Sequence, residues 1–389
     1  MSERRVTIER MRPALKPGLL AVWRNRDTVQ IGIDPRRAVA LTGMRGAAVL
    51  LGLLDGSRDL AQVLATAGEL GISAEAADRV IALLAAGGAL HDFPVTAYRA
   101  MPPGLRTRLA PELATAALAH GDGDGGARVL ARRQGACVRV EGMSRVGLCV
   151  ASLLTASGIG MVISAGGPSG TGTGGSLAVP AAPAARATPA TPAAAACVAA
   201  GTPPPAGTPQ PAGAPPPAGA PSPAGAPPPA GAPRPAGPAD LAGVGRRPDL
   251  VILADIYRRE LPDLFRREGV PHLAAAASEA IGVVGPLVLP GGTACLRCLD
   301  LTRAERDPAW PLILAQLTGG GADPPACDTV LAVAVAAQAA AQAMAFIDRP
   351  VSPNAVTNGT LELVLPDWRW RRRTWMPHDR CGCGRRSTL

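Results

Sequence analysis

Alternation of apolar and polar positions begins near residue 19. Leu19 to Arg24 and Thr28 to Ile33 predict two strands around the turn Asn25-Arg26-Asp27, with Val29, Ile31 and Ile33 on one face of the second. A third short strand, Ala38 to Leu41, follows Asp34-Pro35. The period then lengthens to three and four. Met44 to Leu54 places Val49, Leu50, Leu53 and Leu54 on one side and stops at Asp55-Gly56, and Arg58 to Glu69 places Leu60, Val63 and Leu64 together. A third helix is capped by Ser73, carries Ala77, Val80, Ile81 and Leu84, and stops at Gly87-Gly88. Three strands followed by three helices predict a winged-helix-like α+β module over residues 1–93.

Residues 94–134 read as a connector with a Gly/Asp-rich turn from His120 to Gly126. Cys137 to Val140, a helix to about Ser157, and Met161 to Ser164 then predict the start of a βαβ unit. Over 166–246 the pattern vanishes. Pro205, Pro211, Pro217, Pro223, Pro229 and Pro235 each open a Pro-Ala-Gly triplet, a six-residue period that predicts a disordered, locally polyproline-II spacer. A buried-strand pattern resumes at Asp249-Leu250-Val251-Ile252-Leu253, so the spacer interrupts an α/β domain spanning 135–389. Val146 to Ala165 and Thr329 to Ile347 are uncharged and reach the roughly 20 residues of a membrane span. Gly158 and Gly160 break the first and Gln338 and Gln342 sit inside the second, so both are expected to be buried in a sheet-containing domain, with no membrane partner.

Composition narrows the classes. The chain has 389 residues, 47% apolar but only 3% aromatic, enough for two domains with cores of Ala, Leu and Val. Its net charge of +9 is almost wholly arginine, since Lys16 is the only lysine. The basic residues are scattered in pairs, a field that attracts acidic partners without building a nucleic-acid surface. The start, MSERRVTIERMRP, lacks the apolar stretch of a secretory signal. A cytoplasmic location is expected, where the eight cysteines are metal ligands or free thiols rather than disulfides.

Four of those cysteines are spaced for chemistry. Cys295 and Cys298 have the two-residue spacing of a zinc knuckle after a Gly-rich turn, and Cys381 and Cys383 form a second half-site near the C-terminus. Together they predict a closed structural zinc site with no open coordination position, with His378 as a substitute ligand. Gly142, Ser144 and Gly147 form a GxSxxG turn after a strand, the pattern of a nucleotide-binding turn. Serine replaces the second glycine, and Ser164-Ala165-Gly166 stands where an acid for ribose hydroxyls is expected, so a tight turn without ligand is the reading adopted. Cys327 precedes the helix from Thr329, where packing at a helix start is the reading adopted and a reactive thiol of lowered pKa is the alternative. Trp368-Arg369-Trp370-Arg371-Arg372-Arg373 reads as a strand with exposed arginines beside the zinc site rather than a nucleic-acid surface.

These elements resemble the E1-like ThiF/MoeB superfamily over residues 135–389: the GxSxxG turn, the strand Asp249 to Asp255, Val283 to Val288 leading into Cys295 and Cys298, and the terminal cysteine pair. More closely, the chain resembles the leader-peptide-binding E1-like proteins of thiazole/oxazole-modified peptide biosynthesis, in which a PqqD-like recognition element precedes a Rossmann-like ThiF domain. That resemblance implies a precursor leader peptide bound as an added strand against Ala38, Val39, Ala40 and Leu41, with Asp78, Arg79 and Ala82 on the adjoining helix. It implies a YcaO-type cyclodehydratase as second partner and a homodimer. The superfamily's enzymes adenylate a carboxylate with MgATP. Of their machinery only Asp255 has a clear counterpart; the lysine is missing and the spacer replaces the arginine segment. A non-catalytic scaffold with little or no use for MgATP is therefore expected, and an active adenylyltransferase using Asp255 is the alternative. A DNA-binding winged helix is disfavoured, because the third helix carries Glu75 and Asp78 beside Arg79.

Overall fold

The structure, a computed structural model, describes residues 11–43, 46–121, 123–165, 177–178, 246–254, 260–319, 326–349 and 354–384. Asp255 and nearly all of the predicted spacer lie outside the described residues.

The first sheet has three antiparallel strands in the order β2-β3-β4: Ala21–Asn25, Thr28–Ile31 and Val39–Thr42. Val29, Ile31 and Leu41 point into a core formed with three helices, α1 (Ala47–Leu53), α2 (Leu60–Glu69) and α3 (Ala74–Ala86). Caps set the helix starts as the residues demand. The Asp59 carboxylate accepts from the Gln62 N–H in a capping box, and the Ser73 hydroxyl accepts from the Ala76 N–H. Two expected faces are corrected. Ile33 is 68% exposed because the chain turns at Gly32 (φ 84°) before the alternation reaches it. In α1 the buried face is Ala47, Leu50 and Leu51, with Leu54 beyond its end, while Val49 is exposed. The sequence also hid a two-stranded antiparallel ribbon, β1 (Pro13–Leu15) with β5 (Leu90–Asp92), that closes the base of this unit.

The stretch read as a connector is mostly helical: α4 (Val95–Ala100), α5 (Pro103–His120) and α6 (Ala127–Gly135). The large sheet follows, eight strands in the order β13-β12-β11-β10-β9-β6-β7-β8. Its middle is parallel: β10 (His272–Ser278), β9 (Leu250–Leu253), β6 (Cys137–Glu141) and β7 (Met161–Ala165). Antiparallel strands extend both flanks, β11 (Ile281–Val288), β12 (Gly359–Val364) and β13 (Arg369–Thr374) on one side and the short β8 (Leu177–Ala178) on the other. The pair in β8 falls inside the stretch read as spacer, so that reading is corrected at these two residues.

Two helices, α7 (Arg145–Ala156) and α11 (Thr329–Asp348), cover one face through Val138, Val140, Leu250, Ile252 and Leu273. On the other face α8 (Glu260–Arg267) packs Leu261, Leu264 and Phe265 on Val251 and Leu253. Of the described helices, α11 is long and apolar enough to cross a membrane. Here it lies on the sheet, with Leu331, Val335, Ala339 and Ala343 in the core. At its end Arg133 of α6 makes a bidentate contact with Asp348, at 2.8 and 2.6 Å, and reaches Glu112 of α5 at 2.8 Å. This buried pair fixes the formerly anonymous α5–α6 segment to the main domain.

Candidate functional site

The four predicted thiols converge. Cys295 ends the turn after β11 and Cys298 lies in the first turn of α9 (Leu296–Arg306), which α10 (Trp310–Gly319) follows, while Cys381 and Cys383 follow β13. Sulfur separations are 3.8 Å for Cys295–Cys298, 3.5 Å for Cys295–Cys381 and 3.2 Å for Cys298–Cys383, and all four sulfurs lie within 4.8 Å of one another. A tetrahedron with bonds of about 2.3 Å has edges of about 3.8 Å, so these residues fit a metal ion such as zinc. Three are buried and Cys381 is half-buried, packed with Val288, Leu299 and Trp375. Hydrogen bonding from Cys295, helped by the backbone N–H of His378 at 3.3 Å, pulls the Cys298 thiol down to about 4, while its hydrogen bond to Cys298 pushes Cys295 up. Burial pushes Cys383 up to about 11.

His378 does not point at the sulfurs. Its Nε2 lies 2.9 Å from the Glu305 carboxylate and its Nδ1 accepts from the Arg380 N–H, so it serves the cluster through its backbone and not as the substitute ligand. Sequence reasoning missed the cluster's other neighbour, Trp375. This indole is buried, donates to the Thr360 hydroxyl at 2.9 Å, and lies between the guanidinium groups of Arg303 and Arg373. A tryptophan six positions before Cys381 was the available signal. The arginines of β13 are engaged locally: Arg371 with Asp367 at 2.5 Å, Arg373 with Glu362 at 3.2 Å, and Arg372 with the Ala355 carbonyl at 2.8 Å.

The GxSxxG turn leads from β6 into α7. Gly142 adopts φ 105°, open to glycine, and a Cβ on Gly147 would stand 2.1 Å from the Gly142 carbonyl oxygen. Ser144 caps α7: its hydroxyl accepts from the Gly147 N–H at 3.2 Å and donates to the Ala254 carbonyl at 2.9 Å. The side chain thus occupies the helix N-terminus that a phosphate would need. Below the turn, Arg139 and Glu141 pair at 2.5 Å with Glu141 buried, an acid the sequence reading passed over. At Cys327 the alternative of a reactive thiol finds no support. Cys327 stands outside the N-cap Asp328, which itself accepts the Leu331 N–H, and burial pushes the thiol up.

In the first sheet, β4 is an edge strand, bonded only to β3 among the described residues. Ladder geometry fixes which of its groups face outward. Gly32 N–H donates to Leu20 O, so Gln30 points to β2 while Val29 and Ile31 turn to Leu41 and Val39. Ala40 and Thr42 therefore present their N–H and C=O groups away from the sheet, while the Ala38 N–H is already taken by the Asp34 carbonyl oxygen at 2.9 Å. The C-terminal end of α3 lies against this strand: a Cβ on Gly87 would stand 2.2 Å from Val39 Cγ2. Asp78, Arg79 and Ala82 are exposed on α3, and Leu83, which the sequence reading omitted, is exposed four residues beyond Arg79.

No protein-family model matches the chain, and no curated protein matches it. Solved structures do. MccB of E. coli, crystallised with AMPCPP and MccA, is similar with a TM-score of 0.56 and 14% identity, over 96% of this chain and 99% of that one. MccB with ATP gives 0.55 and 14%, over 95% and 99%. The heterocyclase TruD gives 0.55 and 13%, over 96% of this chain but 42% of its own. At these identities the likeness is one of fold: the chain shares the fold of MccB and of less than half of TruD.

Proposed function

We propose that this chain is a leader-peptide-binding E1-like scaffold in the biosynthesis of a ribosomally made, azole-modified peptide. The observation that carries the reading is the free edge of β4 with α3 beside it. A peptide laid along this edge gains main-chain hydrogen bonds from Ala40 and Thr42, and the side chains of α3 select among sequences. Residues 1–93 would act as the PqqD-like recognition element. The bound precursor would then be handed to a separate YcaO-type cyclodehydratase, whose encounter with the core peptide becomes effectively intramolecular. MccB, crystallised with MccA, and TruD, a heterocyclase, support peptide modification as the setting.

Cys295, Cys298, Cys381 and Cys383 would hold zinc with four thiolates, leaving no coordination site for chemistry, so the metal's part is structural. The nucleotide site does not fit MgATP. Ser144 takes the helix terminus, and the sole lysine, Lys16, is buried in the first unit. Transition-state charge on a phosphoryl group would lack the lysine that helps to stabilise it.

The test is anisotropy titration of the full chain with a labelled precursor peptide encoded beside it. Saturable binding is expected, weakened at least about tenfold by Ala40→Pro, which removes an outward N–H from an exposed position. Binding that ignores this substitution, or no binding to any such leader, rejects the scaffold. ATP–pyrophosphate exchange dependent on the precursor would put the adenylyltransferase in its place.

A further inference from the structure

The first sheet has a second edge, and it is built differently. All five residues of β2 are exposed, Val22 and Trp23 among them, with Trp23 at 63%. Leu20 and Ile33 extend the apolar surface at one end. By the same ladder alternation, Ala21 and Trp23 turn their N–H and C=O groups away from β3. An edge with no further strand on it among the described residues is an adhesive surface, which proteins usually blunt with charge. The far edge of the large sheet, β13, is blunted so, with arginine at four of its six positions. On β2 the equivalent outward positions carry alanine and tryptophan.

Charge decides what would fit. Around the strand the exposed cations are Arg24 and Arg26, Arg12 being half-buried and Lys16 buried, and Asp27 is the first acid after them. Among the described residues neither Arg24 nor Arg26 is in an ion pair. A strand with a large exposed aromatic flanked by uncommitted guanidinium groups has the composition of a binding hot spot, and its sign selects an acidic partner. We propose that β2 is a second strand-adding edge that receives an extended acidic segment of a partner protein, independently of peptide capture at β4. Arg24 and Arg26 would meet carboxylates, and Trp23 would cover an apolar side chain of the added strand.

The probes are two labelled eight-residue peptides, alternating valine with glutamate or valine with lysine, titrated into the full chain. The glutamate peptide is expected to bind at least tenfold more tightly than the lysine peptide, and less tightly as salt rises. Ala21→Pro and Trp23→Ala should each weaken it at least tenfold with the circular dichroism spectrum unchanged, Trp23→Phe should restore it, and Ala40→Pro should leave it alone. Equal affinity for the two peptides overturns the proposal. So does loss of binding in Ala40→Pro, which would place the peptide on β4. A dimer seen in sedimentation velocity and abolished by Trp23→Ala would show that a second copy occupies the edge, and would overturn it as well.

Discussion

His272 heads β10 with no exposed surface, its Nδ1 3.0 Å from the Val270 carbonyl oxygen and its ring beside Phe265. Burial pulls its pKa from 6.5 to about 4. Between those values the unfolded chain takes up a proton that the folded chain refuses. Stability is therefore full above the unfolded pKa and is lost as pH falls through the window, by roughly 3 kcal/mol in all. The urea midpoint is expected to drop between pH 6.5 and 4.5, and His272→Phe should flatten that dependence. If the variant keeps the full slope, other groups carry it. Nothing in the sequence marked this residue, because a lone histidine among alanines and valines does not disclose its depth. The four cysteines were legible for the opposite reason: their spacing is itself the geometry of a metal site. What spacing left open was the direction of a side chain, so His378 looked like a ligand until Glu305, 73 residues away, was seen to hold its ring.

Among elements, strands and helices with a clear period were read to within a few residues. Ser73 marked its helix start correctly because a cap is a local interaction. The three helices between residues 95 and 135 were not seen. In α5, Pro111 interrupts the run and only Leu109, Ala116 and Ala117 are buried, so no stripe stands out. Their attachment is tertiary: Arg133 finds Asp348 across 215 residues. Removing one partner of that pair strands a buried charge. Arg133→Met should cost about 3–5 kcal/mol in urea denaturation, while the double change with Asp348→Leu should recover most of it. Equal losses in the single and double variants would mean that packing, not charge, carries the contact.

At the scale of the molecule, the cysteine cluster joins α9 to the segment after β13, linking Cys295 to Cys381 across a sequence separation of 86. A metal there binds the folded chain and not the unfolded one, so its binding energy adds to folding. Purified protein is expected to carry one zinc per chain. Chelation, or Cys383→Ser, should lower the melting temperature by roughly 5–10 °C. An unchanged transition after complete zinc removal would show the thiols to be a packed cluster and nothing more.

The strand order β9-β6-β7 has a consequence of another kind. The chain last pairs into the large sheet at β8, beside β7, and re-enters it at β9 on the opposite side of β6, with the proline-rich stretch between. Both neighbours of β6 are held by their own ladders, through Cys137 to Glu141 on one side and Val138 to Glu141 on the other. The covalent link across that stretch is therefore not what pairs the strands. A chain cut there has two fragments that each need the other's strands to bury their apolar faces. This domain has a natural seam, at which it could be made in two pieces that recognise one another, or carry cargo inserted between its halves.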